Sequence, residues 1–281
     1  MIGLCTDSNA QVPPELARRY GVEVVPLTVT VDGVDHLEGI DLDADGFYAR
    51  FAGGASPRVS TAAPPPGRFA AAYRALAAAG ADAILSVHIG SAISATLNAA
   101  RLAAQEAPVP VRLVDTGTAS FGIACCLWEA AEALAAGAGL EEAAAVAEAV
   151  AARTGNVFVV RAVDLVRRGG RMSAAAAEGA GEGASLPVVR LVGGSYQPVA
   201  LVRTVEEAAD AMAAAVLEGG ERLRVGISVA DAAGAPVREA LEARLAGAPR
   251  IVDLVRYRVG PSVGVHTGPG TAGAMWYPTA G

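Results

Sequence analysis

The chain has 281 residues, 53% of them hydrophobic and 18% charged, a balance that excludes a disordered protein and fits one large or two modest domains. Its formal net charge is −7, and its 22 basic residues, all arginine, form no long stripe of the kind that binds nucleic acid. No apolar run reaches the ~18 residues of a membrane span. We therefore expect neither a nucleic-acid partner nor a membrane-spanning segment.

The first half of the chain alternates short apolar runs with alanine-rich stretches, an order typical of a parallel sheet covered by helices on both faces. The predicted strands are residues 2–6, 22–31, 83–88 and 111–114. The predicted helices are residues 13–20, 47–51, 68–79, 94–107, 121–136 and 140–152.

After residue 152 the regular alternation of single strands and helices is interrupted. A strand at 157–160 is followed by a predicted hairpin, 188–192 and 198–202, around Gly193-Gly194. Further elements are helix 204–217, strand 223–229, helix 235–245 and strand 251–259. The sequence thus predicts a two-domain α/β protein. Residues 1–152 form a parallel sheet flanked by helices, and residues 153–281 form a second α/β domain with a mixed or antiparallel sheet.

The three cysteines, Cys5, Cys125 and Cys126, do not suggest a disulfide framework, because their number is odd and adjacent cysteines rarely pair. No basic segment of a signal peptide precedes Asp7. We therefore expect a cytoplasmic protein whose Cys125 and Cys126 pack inside an apolar helix.

Motifs for metals are incomplete. Residues 41–46, Asp-Leu-Asp-Ala-Asp-Gly, open like a calcium-binding loop, but its twelfth position is Ala52 instead of a bidentate carboxylate. These acidic residues are expected to cap a helix. The three histidines, His36, His88 and His266, lie far apart in sequence, and His88 is expected to be a satisfied structural histidine. We expect no metal and no cofactor.

Four segments place hydroxyl or imidazole groups where α/β proteins bind ligands. Thr6-Asp7-Ser8 follows the first strand, Thr61 lies in a proline-rich loop, Ser94-Ala95-Thr96 begins the helix after the third predicted strand, and His266 begins a glycine-rich motif. Hydroxyl donors near the first-turn N–H groups of a helix suit a carboxylate. Ordinary helix capping explains Thr61 and Ser94 as well when each is taken singly.

Taken together and in order, these segments resemble the DegV family of bacterial fatty-acid-binding proteins. The motifs that carry the resemblance are Thr6-Asp7-Ser8, Val25-Pro26-Leu27, Phe47-Tyr48, Thr61 to Pro64 with Phe69, Ser94-Ala95-Thr96, Asp115 with Ser120-x-Gly122, Gly169-Gly170-Arg171-Met172-Ser173, and His266 to Gly270. The chain departs from the family pattern at Ala62, Ala63 and Ala95, which replace a serine, a glutamine and a glycine.

The resemblance implies a DegV-like fold that holds one long-chain fatty acid in a tunnel between the domains. The residues it implies for carboxylate binding are Thr61, Ser94 and His266, with Asp7, Ser8 and Thr96 in support. It also implies a carrier that is not an enzyme. Such a carrier presents the bound acid to a separate fatty acid kinase for phospholipid synthesis, and Arg171 is associated with the docking surface.

A hydrolase stays open as an alternative. Ser94, His266 and Asp115 supply the three residue types of a catalytic triad, which would act on a small ester or acyl substrate. Ser94 lies in Ala-Ile-Ser-Ala-Thr, however, which differs from the Gly-x-Ser-x-Gly turn of many serine hydrolases.

Overall fold

The structure is a computed structural model that describes residues 1–162, 165 and 185–279. The chain divides into two compact units, Met1–Thr28 with Thr61–Arg153, and Val29–Ser60 with Thr154–Gly281. The sequence-based division at residue 152 lies beside the chain's final crossing between units. The sequence-based division did not predict that residues 29–60 belong to the second unit.

The first unit is built on a four-stranded sheet of order β2-β1-β6-β7, in which every neighbouring pair is parallel. Strands β1 and β6 are buried at almost every position, as expected of a sheet covered on both faces. The strands are β1 (Ile2–Asp7), β2 (Val22–Val25), β6 (Ala83–His88) and β7 (Val111–Asp115). The helices are α1 (Pro14–Tyr20), α3 (Pro66–Ala78), α4 (Thr96–Ala104), α5 (Phe121–Ala135) and α6 (Leu140–Ala151).

The core of this unit confirms the expected packing of the alanine-rich helices. Phe69 and Tyr73 of α3 pack with Ala100 of α4 against Cys5 and Ile84 of the sheet. All five side chains are fully buried. Small alanine side chains let the helices approach the sheet closely, so the larger rings of α3 fill the remaining volume.

The cysteines are free and buried, as predicted. Cys125 and Cys126 lie within α5, and the thiol of Cys126 contacts the carbonyl oxygen of Gly122 one turn earlier. Burial raises the pKa of the Cys5 thiol to about 12. A thiol with so high a pKa stays protonated and unreactive at neutral pH.

The second unit contains a six-stranded mixed sheet of order β10-β9-β8-β13-β11-β12, in which only β11 and β12 pair in parallel. Its strands are β8 (Gly155–Val159), β9 (Leu186–Val192), β10 (Ser195–Val202), β11 (Leu223–Val229), β12 (Ile251–Arg258) and β13 (Ala272–Pro278). Helices α7 (Val205–Leu217) and α8 (Ala235–Leu245) pack on it through a core that includes Met212 and Leu241. The predicted hairpin and the predicted α/β class are confirmed, whereas β13 and a short helix, α9 (Pro261–Thr267), were not predicted.

Residues 28–62, of which 29–60 belong to the second unit, form a small sheet and one helix. The sheet has the order β4-β3-β5, with β3 (Thr28–Val31), β4 (Val34–Leu37) and β5 (Val59–Ala62), and the helix is α2 (Ala44–Ala49). Phe47 and Tyr48 of α2 pack with Val259 and Val265, which are more than 200 residues away in sequence. This long-range packing is what attaches the segment to the second unit.

The prediction of one strand over residues 22–31 is wrong. The chain forms two strands, β2 and β3, which belong to different sheets. Pro26 has no N–H to donate to a strand ladder, and the N–H of Leu27 donates to the Ser8 hydroxyl at 2.9 Å. The ladder therefore ends at Val25, and the chain leaves the parallel sheet there.

Candidate functional site

The Thr-Asp-Ser motif at the end of β1 fastens neighbouring segments of the first unit. The Thr6 hydroxyl donates to the carbonyl oxygen of Val87 in β6 at 2.7 Å. The Ser8 hydroxyl accepts the N–H of Leu27. The next residue, Asn9, accepts the N–H of Ser120 at 2.9 Å, just before α5 begins. The motif thus holds together the carboxyl edge of the parallel sheet, where α/β proteins bind ligands.

Asp7 is fully buried and belongs to a continuous hydrogen-bond network. Its Oδ2 atom lies 2.9 Å from Nδ1 of His88, and its Oδ1 atom accepts the N–H of Asn9 at 3.1 Å. On the other side of the ring, Nε2 of His88 lies 2.6 Å from the Ser86 hydroxyl, which is 3.0 Å from the Tyr73 hydroxyl. Both ring nitrogens are engaged, which confirms His88 as a satisfied structural histidine.

This network has the residue types and spacing of a serine-protease triad, but it is closed to a substrate. Ser86, His88 and Asp7 are each 0% exposed. A nucleophile needs access as well as a base, and the Ser86 hydroxyl is enclosed within the core. The arrangement is therefore a buried polar network, whose members satisfy one another.

Ser94 lies two residues before the start of α4 and is half-buried. Its Oγ atom lies 2.8 Å from the Thr96 hydroxyl and accepts the Thr96 N–H at 3.2 Å. Thr96 itself is fully buried. With Thr96 as the donor in the hydroxyl pair, the O–H of Ser94 is left to donate to a ligand. The first-turn N–H groups of α4 add a partial positive charge that favours an anion.

Asp115, the carboxylate of the predicted triad, is hydrogen-bonded to backbone and hydroxyl groups at the end of β7. It accepts the N–H and the hydroxyl of Ser91 and the N–H of Gly117. Burial opposes ionisation, but these hydrogen bonds outweigh it and lower the pKa of Asp115. Asp115 therefore stays a carboxylate that holds the loop ahead of Ser94.

Thr61 lies in strand β5, so the prediction that it belongs to a loop is wrong. The strand alternates, with Thr61 half-buried and its neighbours Ser60 and Ala62 exposed. The chain then passes through half-buried Ala63 and buried Pro64 to α3. Pairing with β3 accounts for the strand, because β3 and β5 are 28 residues apart and their contact is not written in the local pattern.

His266 lies in α9 of the second unit and is half-buried. Two carboxylates hold its surroundings. Buried Glu38 accepts the N–H of Ser262 at 2.8 Å, and Asp231 accepts the N–H of Gly270 at 2.9 Å. Between them, Gly268 has a φ of +77° and lies against Ala162, so that a β-carbon there would come within 2.2 Å of the Ala162 β-carbon. The His-x-Gly-Pro-Gly motif is thus a tightly held turn.

Other predicted features are either accounted for or lie elsewhere. Asp43 caps α2 by accepting the N–H of Gly46 at 2.8 Å, as expected. Across the described ranges, no group of three His, Cys, Asp or Glu side chains is arranged to hold a metal ion. None of the helices in the described part of the chain is long and apolar enough to cross a membrane. Arg171 and its Gly-Gly-Arg motif lie outside the described residues.

These observations define the class of protein: two α/β units, one on a parallel sheet and one on a mixed sheet, with hydroxyl groups at the carboxyl edge of the parallel sheet. A family model described as "Uncharacterised protein, DegV family" matches residues 1–279. The chain belongs to the DegV family, as the sequence motifs predicted.

Related proteins and solved structures match this chain along nearly its whole length. The DegV domain-containing protein SCO2569 of Streptomyces coelicolor is 37% identical over 275 residues, covering 98% of this chain and 97% of the relative. The DegV domain-containing protein Rv2417c of Mycobacterium tuberculosis is 35% identical over 273 residues, covering 95% and 94%. A Thermus thermophilus DegV structure, described by its fatty acid binding, superposes with a TM-score of 0.88 at 31% identity and covers 99% of both chains.

Proposed function

We propose that this protein binds one long-chain fatty acid. The observation that carries the proposal is the similarity, over 99% of both chains, to the Thermus thermophilus protein described by its fatty acid binding. A Thermotoga maritima structure described as a DegV lipid-binding protein, with a TM-score of 0.86 at 27% identity, supports the same class of ligand.

We propose that the carboxylate of the acid accepts hydrogen bonds from Thr61, Ser94 and His266. The half-buried Ser94 hydroxyl beside the N-terminus of α4 is the donor with the clearest physical support, because hydroxyl and helix both favour negative charge there. Thr96 supports Ser94 through its own hydroxyl. The position of the acid between the domains stays a prediction from the family resemblance.

The energetics assign most of the affinity to the tail. Burying a 16-carbon chain at ~0.8 kcal/mol per methylene gives roughly 12 kcal/mol of gross transfer free energy. The head group therefore needs satisfied hydrogen bonds more than strong ones, since an unsatisfied buried carboxylate costs several kcal/mol. Two charge-assisted bonds at about 1.5 kcal/mol each account for an affinity change of about 100-fold.

The finer role follows from the family resemblance. The protein acts as a cytoplasmic carrier, not as an enzyme, and presents the bound carboxylate to a separate fatty acid kinase, with Arg171 on the docking surface. Free, buried cysteines are consistent with a reducing compartment. Ala62 and Ala63 lack the hydroxyl and the amide that the family carries at these positions, and Ala95 adds a β-carbon where the family has a glycine, so we expect these departures to alter affinity or chain preference.

The test begins with the purified protein. Denaturing extraction into organic solvent, followed by mass spectrometry, should release one fatty acid per chain and show its length and unsaturation. Delipidated protein is then titrated with palmitate. The double variant Thr61→Val/Ser94→Ala should bind about 100-fold more weakly while keeping the circular dichroism spectrum of the folded wild type.

Ser60→Ala is the matched control, because Ser60 is the exposed neighbour of Thr61 on the same strand. Its palmitate affinity should equal that of the wild type. Unchanged affinity in the double variant would refute the head-group assignment. Turnover of a short-chain nitrophenyl ester that is lost in Ser94→Ala would favour the hydrolase over the carrier.

A further inference from the structure

Asp7 is connected to Ser94 by hydrogen bonds that the Thr-Asp-Ser motif does not predict. Besides the imidazole of His88, its Oδ2 atom accepts the N–H of Ile89 at 3.1 Å, the first residue after β6. The next residue, Gly90, accepts two N–H groups through its carbonyl oxygen, from Ile93 at 2.9 Å and from Ser94 at 3.1 Å. Asp7 is therefore two hydrogen-bonded steps from the backbone of Ser94.

The first of these steps, from Asp7 to Ile89, lies in the interior. Asp7 and His88 are 0% exposed, and Ile89 is 4% exposed. A buried carboxylate must be satisfied by donors, and here three converge on it: one imidazole N–H and two backbone N–H groups. Because the carboxylate only accepts, Nδ1 of His88 carries the hydrogen, and this fixes the orientation of the ring.

The loop has further anchors on its far side. Gly90 donates its N–H to the carbonyl oxygen of Thr118 at 2.9 Å, and the Thr116 hydroxyl donates to the carbonyl oxygen of His88 at 2.8 Å. These bonds hold the loop to the end of β7. The bond from Ile89 to Asp7 holds it to the end of β1. The position of Ser94 at the carboxyl edge of the sheet thus depends on hydrogen bonds at the ends of both β1 and β7.

From these contacts we propose that Asp7, oriented by His88, is a positioning residue for the fatty-acid carboxylate. It acts through Ile89 and the turn at Gly90 to hold the Ser94 hydroxyl in place and does not touch the ligand itself. The inference rests on the proposed function and deepens it. It assigns Asp7, predicted from the motif as a supporting residue, a specific route of action.

The deciding variant is Asp7→Asn, which keeps the shape of the side chain but replaces one oxygen with an NH₂ donor. With the NH₂ at the Oδ2 position, it faces the N–H groups of Ile89 and His88, and with the NH₂ at the Oδ1 position it faces only the N–H of Asn9. The contact to Ile89 is lost in the first orientation and weakened in the second, because a neutral amide oxygen accepts a weaker hydrogen bond than a carboxylate does. We expect palmitate affinity to fall about 10-fold, with the circular dichroism spectrum unchanged.

A double-mutant cycle separates positioning from a general loss of stability. If Asp7 acts through Ser94, Asp7→Asn/Ser94→Ala binds palmitate no more weakly than Ser94→Ala alone. Effects that multiply in the double variant would overturn the inference. So would Asp7→Asn protein that melts at a lower temperature but binds like the wild type.

Thr6→Val is the matched control. It removes one buried hydrogen bond from the same strand end, to Val87, without touching Ile89 or the turn at Gly90. It should lower the melting temperature and leave palmitate affinity unchanged. Weaker binding in Thr6→Val comparable to that in Asp7→Asn would contradict the inference, because any damage to the strand end would then suffice.

Hydrogen exchange on the wild type gives a second readout if Asp7→Asn does not fold. Saturating palmitate should slow exchange of the Ile89 and Ser94 amides together, since they belong to one hydrogen-bonded chain. Protection of Ser94 without Ile89 would overturn the inference. Wild-type protein that takes up no palmitate would instead refute the proposed function, and that outcome is read before any variant is compared.

Discussion

The indole of Trp276 packs against two glycines, Gly155 and Gly219. Because neither has a β-carbon, the ring has room to fit there. In the antiparallel pairing of β13 with β8, Trp276 stands opposite Gly155. A β-carbon on Gly155 would lie 2.3 Å from Cε2 of the indole, and one on Gly219 would lie 2.0 Å from its Nε1. These distances are far inside van der Waals contact, so Gly155→Ala must displace the ring.

The cost follows from how much of the ring is lost from the core. Trp276 is 8% exposed and belongs to the main core of the second unit. A tryptophan buries about 150–250 Å², which at ~25 cal/mol per Å² gives about 4–6 kcal/mol for complete expulsion. Overpacking that is relieved by partial movement costs about 1–3 kcal/mol. We expect Gly155→Ala to lower the free energy of unfolding by about 2–4 kcal/mol.

Urea unfolding followed by tryptophan fluorescence measures this change. A Trp128→Phe background leaves Trp276 as the only indole. Gly155→Ala should shift the emission of the folded protein to longer wavelength and lower the unfolding midpoint. Gly67→Ala in α3 is the control, because a β-carbon there meets nothing within 4 Å. Wild-type stability and emission in Gly155→Ala would refute the packing argument.

Two further predictions concern buried polar groups. Burial raises the pKa of Cys5 to about 12 from 9.0, so above pH 9 the unfolded thiol loses a proton that the folded protein retains. Stability conferred by that proton is present below pH 9 and falls by about 1.4 kcal/mol per pH unit up to about pH 12. Cys5→Ala should therefore lose about 1 kcal/mol less than the wild type between about pH 8 and about pH 10 in urea melts, and equal losses would contradict the assignment. The Tyr48 hydroxyl is buried without a hydrogen-bond partner among the described residues, so Tyr48→Phe should raise the free energy of unfolding by about 1 kcal/mol. A clear loss of stability would show that the hydroxyl is satisfied.

Local pattern was sufficient for most of the first unit. Apolar runs alternating with alanine-rich stretches predicted β1, β6 and β7 and placed β2 within one longer strand, since period and residue type are local properties. The same approach missed β13, the strand between β8 and β11. Its sequence, Ala-Gly-Ala-Met-Trp-Tyr-Pro, begins with small residues of low strand propensity. Pairing on both sides supplies the hydrogen bonds that its own side chains do not predict.

The division into units was also beyond local pattern. Residues 29–60 join the second unit because Phe47 and Tyr48 pack with Val259 and Val265, and because Glu38 accepts the N–H of Ser262, 224 residues away. A linear sequence does not specify which distant apolar surface covers a helix. The packing of the folded chain determines which surface covers the helix.

The sequence by itself determined the family, the α/β class and the hydroxyl-bearing motifs, because these reside in residue types at short spacing. Only the tertiary structure decided what Asp7 does. Its partners His88 and Ile89 lie 81 and 82 residues away, and nothing in Thr-Asp-Ser names them. A carboxylate taken out of water must find donors, and which donors reach it depends on how the strands pair. Strand pairing therefore turned a residue predicted to support the ligand into one that supports the loop carrying Ser94.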